Sequence, residues 1–219
     1  MKSTIDRREF LTRTGFTLAV AVTPSGLKVF AMGPADTDSE LFQPTVWYTL
    51  DTDNQLTVMV NKSEMGQGTH TALPMIVADE LDVKWEQVRI EQAPTRKQYY
   101  SPGPRSSYGT GGSSGVRTMY DPLRQAAAAG REMLVQAGAE KWSVPVSECQ
   151  ASEGSVHHRP SGRSIAYGEL VEEASKLPVP ENPRLKDKSE FKIMRTPIPR
   201  LDIPAKVSGE AKFGIDAYV

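Results

Sequence analysis

Glu64-Met-Gly-Gln-Gly-Thr-His-Thr-Ala-Leu-Pro-Met-Ile-Val-Ala-Asp-Glu-Leu81 is the stretch whose reading decides the fold of this chain. The β-rich run Leu56–Asn61 leads into it, and a helix from about Thr71 to Leu81 leaves it. Two glycines, Gly66 and Gly68, flank Gln67. Glycine admits positive φ and lets another molecule approach the backbone closely. The first turn of the following helix has unpaired N–H groups and the positive end of the helix dipole. Such a loop can cradle an anionic cofactor while Gln67 offers an amide donor and acceptor. Strand–glycine turn–helix junctions also occur without any ligand.

Working outward, Thr45–Leu50 and Leu56–Asn61 flank the polar turn Asp51-Thr-Asp-Asn54, which predicts a hairpin. Pro74 falls in the first turn of the predicted helix, where its missing N–H costs little. Val88–Gln92 alternates as a strand does. Residues 95–118, rich in Ser, Gly and Tyr, form a long loop of the kind that is functional or disordered. Asp121 to about Lys141 reads as a helix with Asp121 as N-cap and Pro122 at the first helical position. Its alanine run allows close packing against a sheet. Glu148–Arg159 reads as a small hairpin, and Tyr167–Lys176 as a short helix. Prolines and charges alternate over residues 178–199 as in a linker. No internal repeat is present. The whole reads as α+β, a mixed arrangement of sheet and helix.

The amino terminus carries an address. Asp6-Arg-Arg-Glu-Phe-Leu-Thr12 follows the twin-arginine export pattern through Arg7, Arg8, Phe10 and Leu11. The apolar stretch Gly15–Val22 behind it is too short to span a bilayer, which takes roughly 20 residues. Val29-Phe-Ala31 offers small-residue cleavage positions, which predicts removal near Ala31 and a periplasmic protein exported folded. About 188 residues then remain, enough for one ordinary domain or two small lobes. The whole chain carries a formal charge of −1, and removing a leader of net +3 leaves −4. No basic face stands out, so nucleic acid is not an expected partner. No segment predicts a transmembrane span. Cys149 is the only cysteine, so no internal disulfide or protein-held iron–sulfur cluster can form, and it reads as a small buried apolar residue.

The segment Glu64–Pro94, EMGQGTHTALPMIVADELDVKWEQVRIEQAP, resembles the molybdenum-binding large subunit of the xanthine dehydrogenase/aldehyde oxidase family, and within it the isoquinoline 1-oxidoreductase beta subunits. Gly109-Thr-Gly-Gly-Ser-Ser-Gly-Val-Arg117 with Tyr120–Leu134 is similar to the family's second cofactor loop and helix. Asp202–Asp216 is similar to the entry to its next, hammerhead-like domain. The resemblance implies that Gly66, Gln67 and Gly68 contact the molybdenum cofactor, with Gln67 beside the metal. It also implies that Gly112 and Ser113, with Ser114 as a further candidate, contact the phosphates of a molybdopterin cytosine dinucleotide. Relatives usually carry a further serine where Gly115 stands, which puts one phosphate contact in doubt.

The implied activity is hydroxylation of an N-heterocycle such as isoquinoline with water as oxygen source, electrons passing to [2Fe-2S] clusters on a separate iron–sulfur small (alpha) subunit. An aldehyde-oxidising molybdenum dehydrogenase subunit is the second reading. A non-catalytic periplasmic binding or assembly module is the third. The family's general-base glutamate lies in sequence not present here, so no catalytic residue is assigned and the chain alone is expected to be inactive. The expected organisation is a leader over 1–31, part of a molybdopterin-binding domain over 32–177, a linker over 178–200 and the start of a truncated hammerhead-like domain over 201–219.

Other side chains carry weaker signals. His157 and His158 would face opposite sides of a strand and read as a solvated pair, not metal ligands. His70 either lines the cofactor loop or is a polar surface group. Asp79 and Glu80 read as solvated or packing groups, and Trp85 and Trp142 as core anchors. Tyr99, Tyr100 and Tyr108 either pack within their loop or touch substrate.

Overall fold

The computed structural model describes residues 17–23, 26–32, 46–96, 99–101 and 108–216. Two sheets and two long helices form the α+β body. Strands β1 (Thr17–Thr23), β2 (Gly26–Met32), β3 (Val46–Leu50), β4 (Leu56–Val60) and β5 (Val88–Gln92) make a mixed sheet in the order β2-β1-β3-β4-β5. β3 and β4 are the expected antiparallel hairpin, and Asp51 Oδ1 closes its turn by accepting the N–H groups of Asp53 and Gln55. β4 and β5 run parallel, Val58 opposite Ile90, so the chain must cross over between them. Helix α1 (Thr69–Leu81) is that crossover. Ligands of open sheets gather beyond the carboxyl ends of parallel strands, and the Asn61–Gly68 loop lies beyond the end of β4.

Thr17–Thr23, inside the expected leader, and Gly26–Met32, which ends one residue beyond it, pair with each other and β1 pairs with β3; Ala31 lies within β2. Arg7, Arg8, Phe10 and Leu11 lie outside the described residues.

β4 is covered on both faces: Leu56, Val58 and Val60 are buried, as is Thr57. Each such aliphatic side chain contributes roughly 1.5–3 kcal/mol when fully buried. Helix α2 (Tyr120–Trp142) packs along α1, and its alanine run permits the close approach the sequence suggested. The Tyr48 hydroxyl donates to the Ala126 carbonyl at 3.0 Å, and a Cβ on Gly130 would overlap that hydroxyl. Further along α2, a Cβ on Gly138 would come within 2.8 Å of Val156. There a second sheet packs, made of β6 (Cys149–Ser152), β7 (Ser155–His158) and β8 (Arg163–Ala166). The expected small hairpin is its first two strands; β8 adds a third. Tyr167 anchors the junction, its hydroxyl donating to Leu81 O at 2.9 Å, and the short helix α3 (Val171–Ser175) follows.

Three local expectations change. α1 starts at Thr69, so Pro74 lies inside the helix and removes the N–H that would bond the His70 carbonyl. α2 starts at Tyr120 with Met119 as N-cap, so Asp121 is a first-turn acid favoured by the helix dipole, not the cap, and Pro122 stands third in the helix. His158 is only 5% exposed, its Nε2 lying 2.8 Å from Glu148 and its Nδ1 2.7 Å from Ser161; it is no solvated partner to His157.

Asp79 and Glu80 prove to be packing groups, 1% and 0% exposed. The Asp79 carboxylate accepts the N–H groups of Lys192, Ile193 and Met194 at 2.8–3.2 Å. The Glu80 carboxylate accepts the Lys186 N–H at 2.6 Å and faces Arg124 at 3.2 Å. Lys186 in turn reaches Asp82 at 2.8 Å. Arg184–Met194 is thereby strapped across the C-terminal half of α1. Cys149 is buried, as expected. Trp85 and Trp142 pack on the core while partly exposed; the fully buried tryptophan is Trp47, with the Tyr99 ring edge-on at 6.5 Å. Among the described residues, no helix is long and apolar enough to cross a membrane.

Candidate cofactor-binding site

Two glycine loops, 47 residues apart in sequence, meet beyond the end of β4. Lys62 Nζ donates to the Gly109 carbonyl at 2.9 Å, and the Ser63 N–H donates to Thr110 Oγ1 at 2.8 Å. A Cβ on Gly115 would come within 2.9 Å of Thr69 Cγ2, so a serine at this position would press on the start of α1. Tyr108 pins the second loop to β5: its hydroxyl donates to Ala93 O and accepts from Gln92 Nε2 at 2.7 Å. Tyr99 and Tyr108 therefore serve loop packing.

The first loop is built around Glu64. Its carboxylate accepts the N–H groups of Gly66 at 2.8 Å, Gly68 at 2.9 Å and His70 at 3.1 Å. Gly66 and Gly68 have φ of 104° and 81°, a backbone that side chains resist and that brings these amides to one point. The expectation that the α1 N-terminus offers free amides to an anion is corrected at these positions, because Glu64 already satisfies them. The same loop explains the early helix start: capping from four residues upstream lets Thr69 enter the helix.

Arg200 closes this arrangement from far along the chain, donating to Gly66 O at 2.6 Å and Glu64 Oε1 at 3.2 Å while paired with Asp202 at 2.6 Å. The Leu201 N–H donates to Thr71 Oγ1 at 3.0 Å. Burial of Glu64 works to raise its pKa, but the amides of Gly68, His70 and Gly66 and the charge of Arg200 outweigh it and hold the carboxyl below its ordinary value. Arg200 and Lys206 likewise hold Asp202 far below the usual range.

Gln67 is exposed at the tip. Its Oε1 accepts the Met65 N–H at 2.6 Å, and its Nε2 donates to Ser63 O at 2.7 Å and to Thr69 Oγ1 at 3.3 Å. One acceptor lone pair stays free, and the longer bond to Thr69 is the one a ligand displaces most readily. His70 turns away: its Nε2 lies 3.0 Å from both the Lys62 carbonyl and Gln92 Oε1, tying α1 to the ends of β4 and β5.

In the second loop, Gly112 and Ser113 have φ of 56° and 53°, and the Ser114 N–H donates to Gly111 O at 3.1 Å. This is a tight turn with two left-handed central residues. Ser114 Oγ also donates to Gly111 O, at 2.7 Å, so its proton is committed. The Ser113 hydroxyl has no partner among the described residues, which leaves it, rather than Ser114, able to donate to a ligand. A non-glycine residue in the left-handed region costs about 1–2 kcal/mol, a strain that collects at functional sites.

Added Cβ atoms on Gly66, Gly68, Gly111 and Gly112 would meet nothing within 4 Å, so bare backbone of both loops faces open space. A large ligand can lie directly on it. Among the described residues no three His, Cys, Asp or Glu side chains cluster to hold a metal ion. Bare glycine backbone, a free serine hydroxyl and a buried cation beneath them fit a phosphate-bearing group.

The family of molybdopterin cofactor-binding domains matches residues 2–209. The chain belongs to that family. The chain is 32% identical over 256 aligned positions to the isoquinoline 1-oxidoreductase subunit beta of Brevundimonas diminuta, covering 98% of this chain and 32% of that one. It is 32% identical over 233 positions to a membrane-bound aldehyde dehydrogenase [pyrroloquinoline-quinone] of Gluconacetobacter polyoxogenes, covering 100% and 28%. It is 27% identical over 210 positions to a nicotinate dehydrogenase subunit of Pseudomonas putida, covering 94% and 17%. The chain thus spans about a third or less of these relatives. Among solved structures, quinoline 2-oxidoreductase from Pseudomonas putida 86 superposes with a TM-score of 0.44 at 19% identity, over 75% of this chain and 17% of that one.

Sequence reasoning located both loops but missed three parts of the site. Glu64 lies inside the quoted motif, yet an acid beside a helix start reads as ordinary polarity. Arg200 stands 134 residues from Gly66, and no periodicity links them. Lys62 reads as a surface lysine at a strand end and is in fact 1% exposed.

Proposed function

We propose that the two loops hold the pterin nucleotide of a molybdenum hydroxylase that oxidises an N-heterocycle such as isoquinoline. The observation that carries this reading is the juxtaposition of two glycine loops with their bare faces open, in a chain of the molybdopterin-binding family. The bound cofactor supplies two-electron oxidation with water as the oxygen source, and electrons leave through [2Fe-2S] clusters of a separate small subunit. Within this chain, Gly66, Gln67 and Gly68 position the metal end, Gln67 exchanging its long bond to Thr69 for one to the cofactor. Gly112 and Ser113 receive the phosphates of the cytosine dinucleotide form, with Ser114 shaping the turn. Glu64 and Arg200 keep the first loop in shape, and no residue of this chain is assigned a proton-transfer role.

An aldehyde is the second substrate reading, because the relative named an aldehyde dehydrogenase is as similar, at 32% identity, as the one named for isoquinoline. Turnover of isoquinoline against a simple aldehyde by the enzyme assembled with its partner subunit separates the two.

The site reading is tested by molybdenum and pterin content after expression in a host that makes the cofactor. Gly111→Val suits the purpose, since its Cβ enters open space and its backbone does not require glycine. Wild type carrying both components and Gly111→Val carrying neither, with unchanged melting, is the expected result. Equal loading of the two proteins would overturn the site.

We also propose export by the twin-arginine route, supported by Arg7, Arg8, Phe10 and Leu11. Cleavage near Ala31 would remove the β1–β2 hairpin and free the edge of β3 for another strand. Sequencing the amino terminus of periplasmic protein decides: a start near Met32 is expected, and a start at Met1 with the hairpin retained rules cleavage out.

A further inference from the structure

Lys62 is a buried cation with no counter-ion among the described residues. It is 1% exposed, no carboxylate comes within ion-pair reach of it among the described residues, and burial pushes its pKa down with nothing opposing. The nearest acid in sequence, Glu64, is committed to three backbone amides and Arg200. A buried charge is costly unless an opposite charge meets it. Among the described residues, Lys62 Nζ bonds to the Gly109 carbonyl, at 2.9 Å, beneath the second glycine loop. Donation by an ammonium to a peptide carbonyl polarises that peptide and makes its N–H, here that of Thr110, a stronger donor. Its aliphatic stem passes 4.0 Å from where a Cβ of Gly115 would lie, so the lysine underlies the loop from Gly109 to Gly115.

We propose that Lys62 is the positioning cation of a phosphate subsite, charging the Gly109–Ser114 loop from below so that its outer face takes a phosphoryl anion. This rests on the cofactor reading above and adds a residue to it. The anion does not touch the ammonium. It completes a charge pair across the Gly109–Thr110 peptide, the cation on the buried side and the anion on the exposed side of the loop. The class of ligand is a pyrophosphate diester, and inorganic pyrophosphate is the probe.

The experiment measures pyrophosphate binding to the full chain by calorimetry for wild type, Lys62→Arg, Lys62→Gln and Lys62→Met, with melting temperatures alongside. Lys62→Gln keeps a donor for Gly109 without the charge, so it separates strut from charge. The expected result is affinity kept in Lys62→Arg and lost by about tenfold or more in Lys62→Gln and Lys62→Met, with Lys62→Gln melting as wild type does. Binding in Lys62→Gln equal to wild type reduces Lys62 to a strut and overturns the proposal, as does absence of pyrophosphate binding to wild type. Pterin content of the same preparations keeps the two readings apart. Pterin-loaded wild type with Lys62-independent pyrophosphate binding sinks only this proposal. Lys62-dependent pyrophosphate binding without pterin uptake sinks only the cofactor reading.

Discussion

One oxygen of the Glu64 carboxylate stands 3.2 Å from the Arg200 guanidinium while accepting the N–H groups of Gly66 and Gly68. A charge from the far end of the chain thus secures the acid that shapes the first glycine loop. Because these partners hold the folded-state pKa of Glu64 below its ordinary 4.5, its contribution is complete above that pH and is lost as the pH falls through the lower folded value. Amide exchange of Ser63–Ala72, corrected for intrinsic rates, should therefore accelerate on acidification below pH 4.5. Arg200 stays charged throughout, and Arg200 and Lys206 hold Asp202 far below the usual carboxylate range. Glu64→Gln should show faster exchange already at neutral pH, by about 1–3 kcal/mol of opening free energy, and little further change with acid. An equal acid response in that variant would move the effect to another group.

Asp79 holds three backbone amides of the 184–194 strap, those of Ile193 and Met194 buried and that of Lys192 partly so, and faces Lys186. Asp79→Ala leaves those donors unpaired and should cost about 3–5 kcal/mol, which lowers the melting temperature by about 10 °C in a domain of this size. Calorimetry checks it; a shift of a degree or less would mean that the strap contributes nothing to stability.

Gly130→Ala stabilises an ordinary helix by up to about 1 kcal/mol. Here the added methyl meets the Tyr48 hydroxyl, so the sign reverses and a loss of about 1–3 kcal/mol is expected. Combining it with Tyr48→Phe removes the obstructing oxygen and should recover part of that loss. Additive losses in the double variant would place the conflict elsewhere.

Burial pushes the Cys149 thiol above its ordinary pKa, and the neighbouring Glu148 adds to the rise against Arg163. Alkylation by iodoacetamide should be at least about tenfold slower in the native protein than after unfolding. Comparable rates would show that β6 opens freely.

The β4–loop–α1–β5 unit and α2 were legible because apolar periodicity, glycine placement and an alanine run are local signals. What escaped depends on partners distant in sequence. Asp79 and Glu80 read equally as solvated or packing acids at a helix end, and only Lys186 and Met194, more than a hundred residues on, decide for packing. His158 looks polar and exposed until Glu148 and Ser161 close over it. Both glycine loops announced themselves, yet the charges that shape them, Glu64 with Arg200 and Lys62 with Gly109, come from pairings that only the folded chain creates.

The most direct test of the account is the position of molybdenum in crystals of protein loaded with the cofactor, read by anomalous diffraction at the metal's absorption edge. A peak beside Gln67, with phosphate density against Gly112 and Ser113, is the predicted result. A molybdenum peak remote from both loops, in protein that carries pterin, would contradict the central claim.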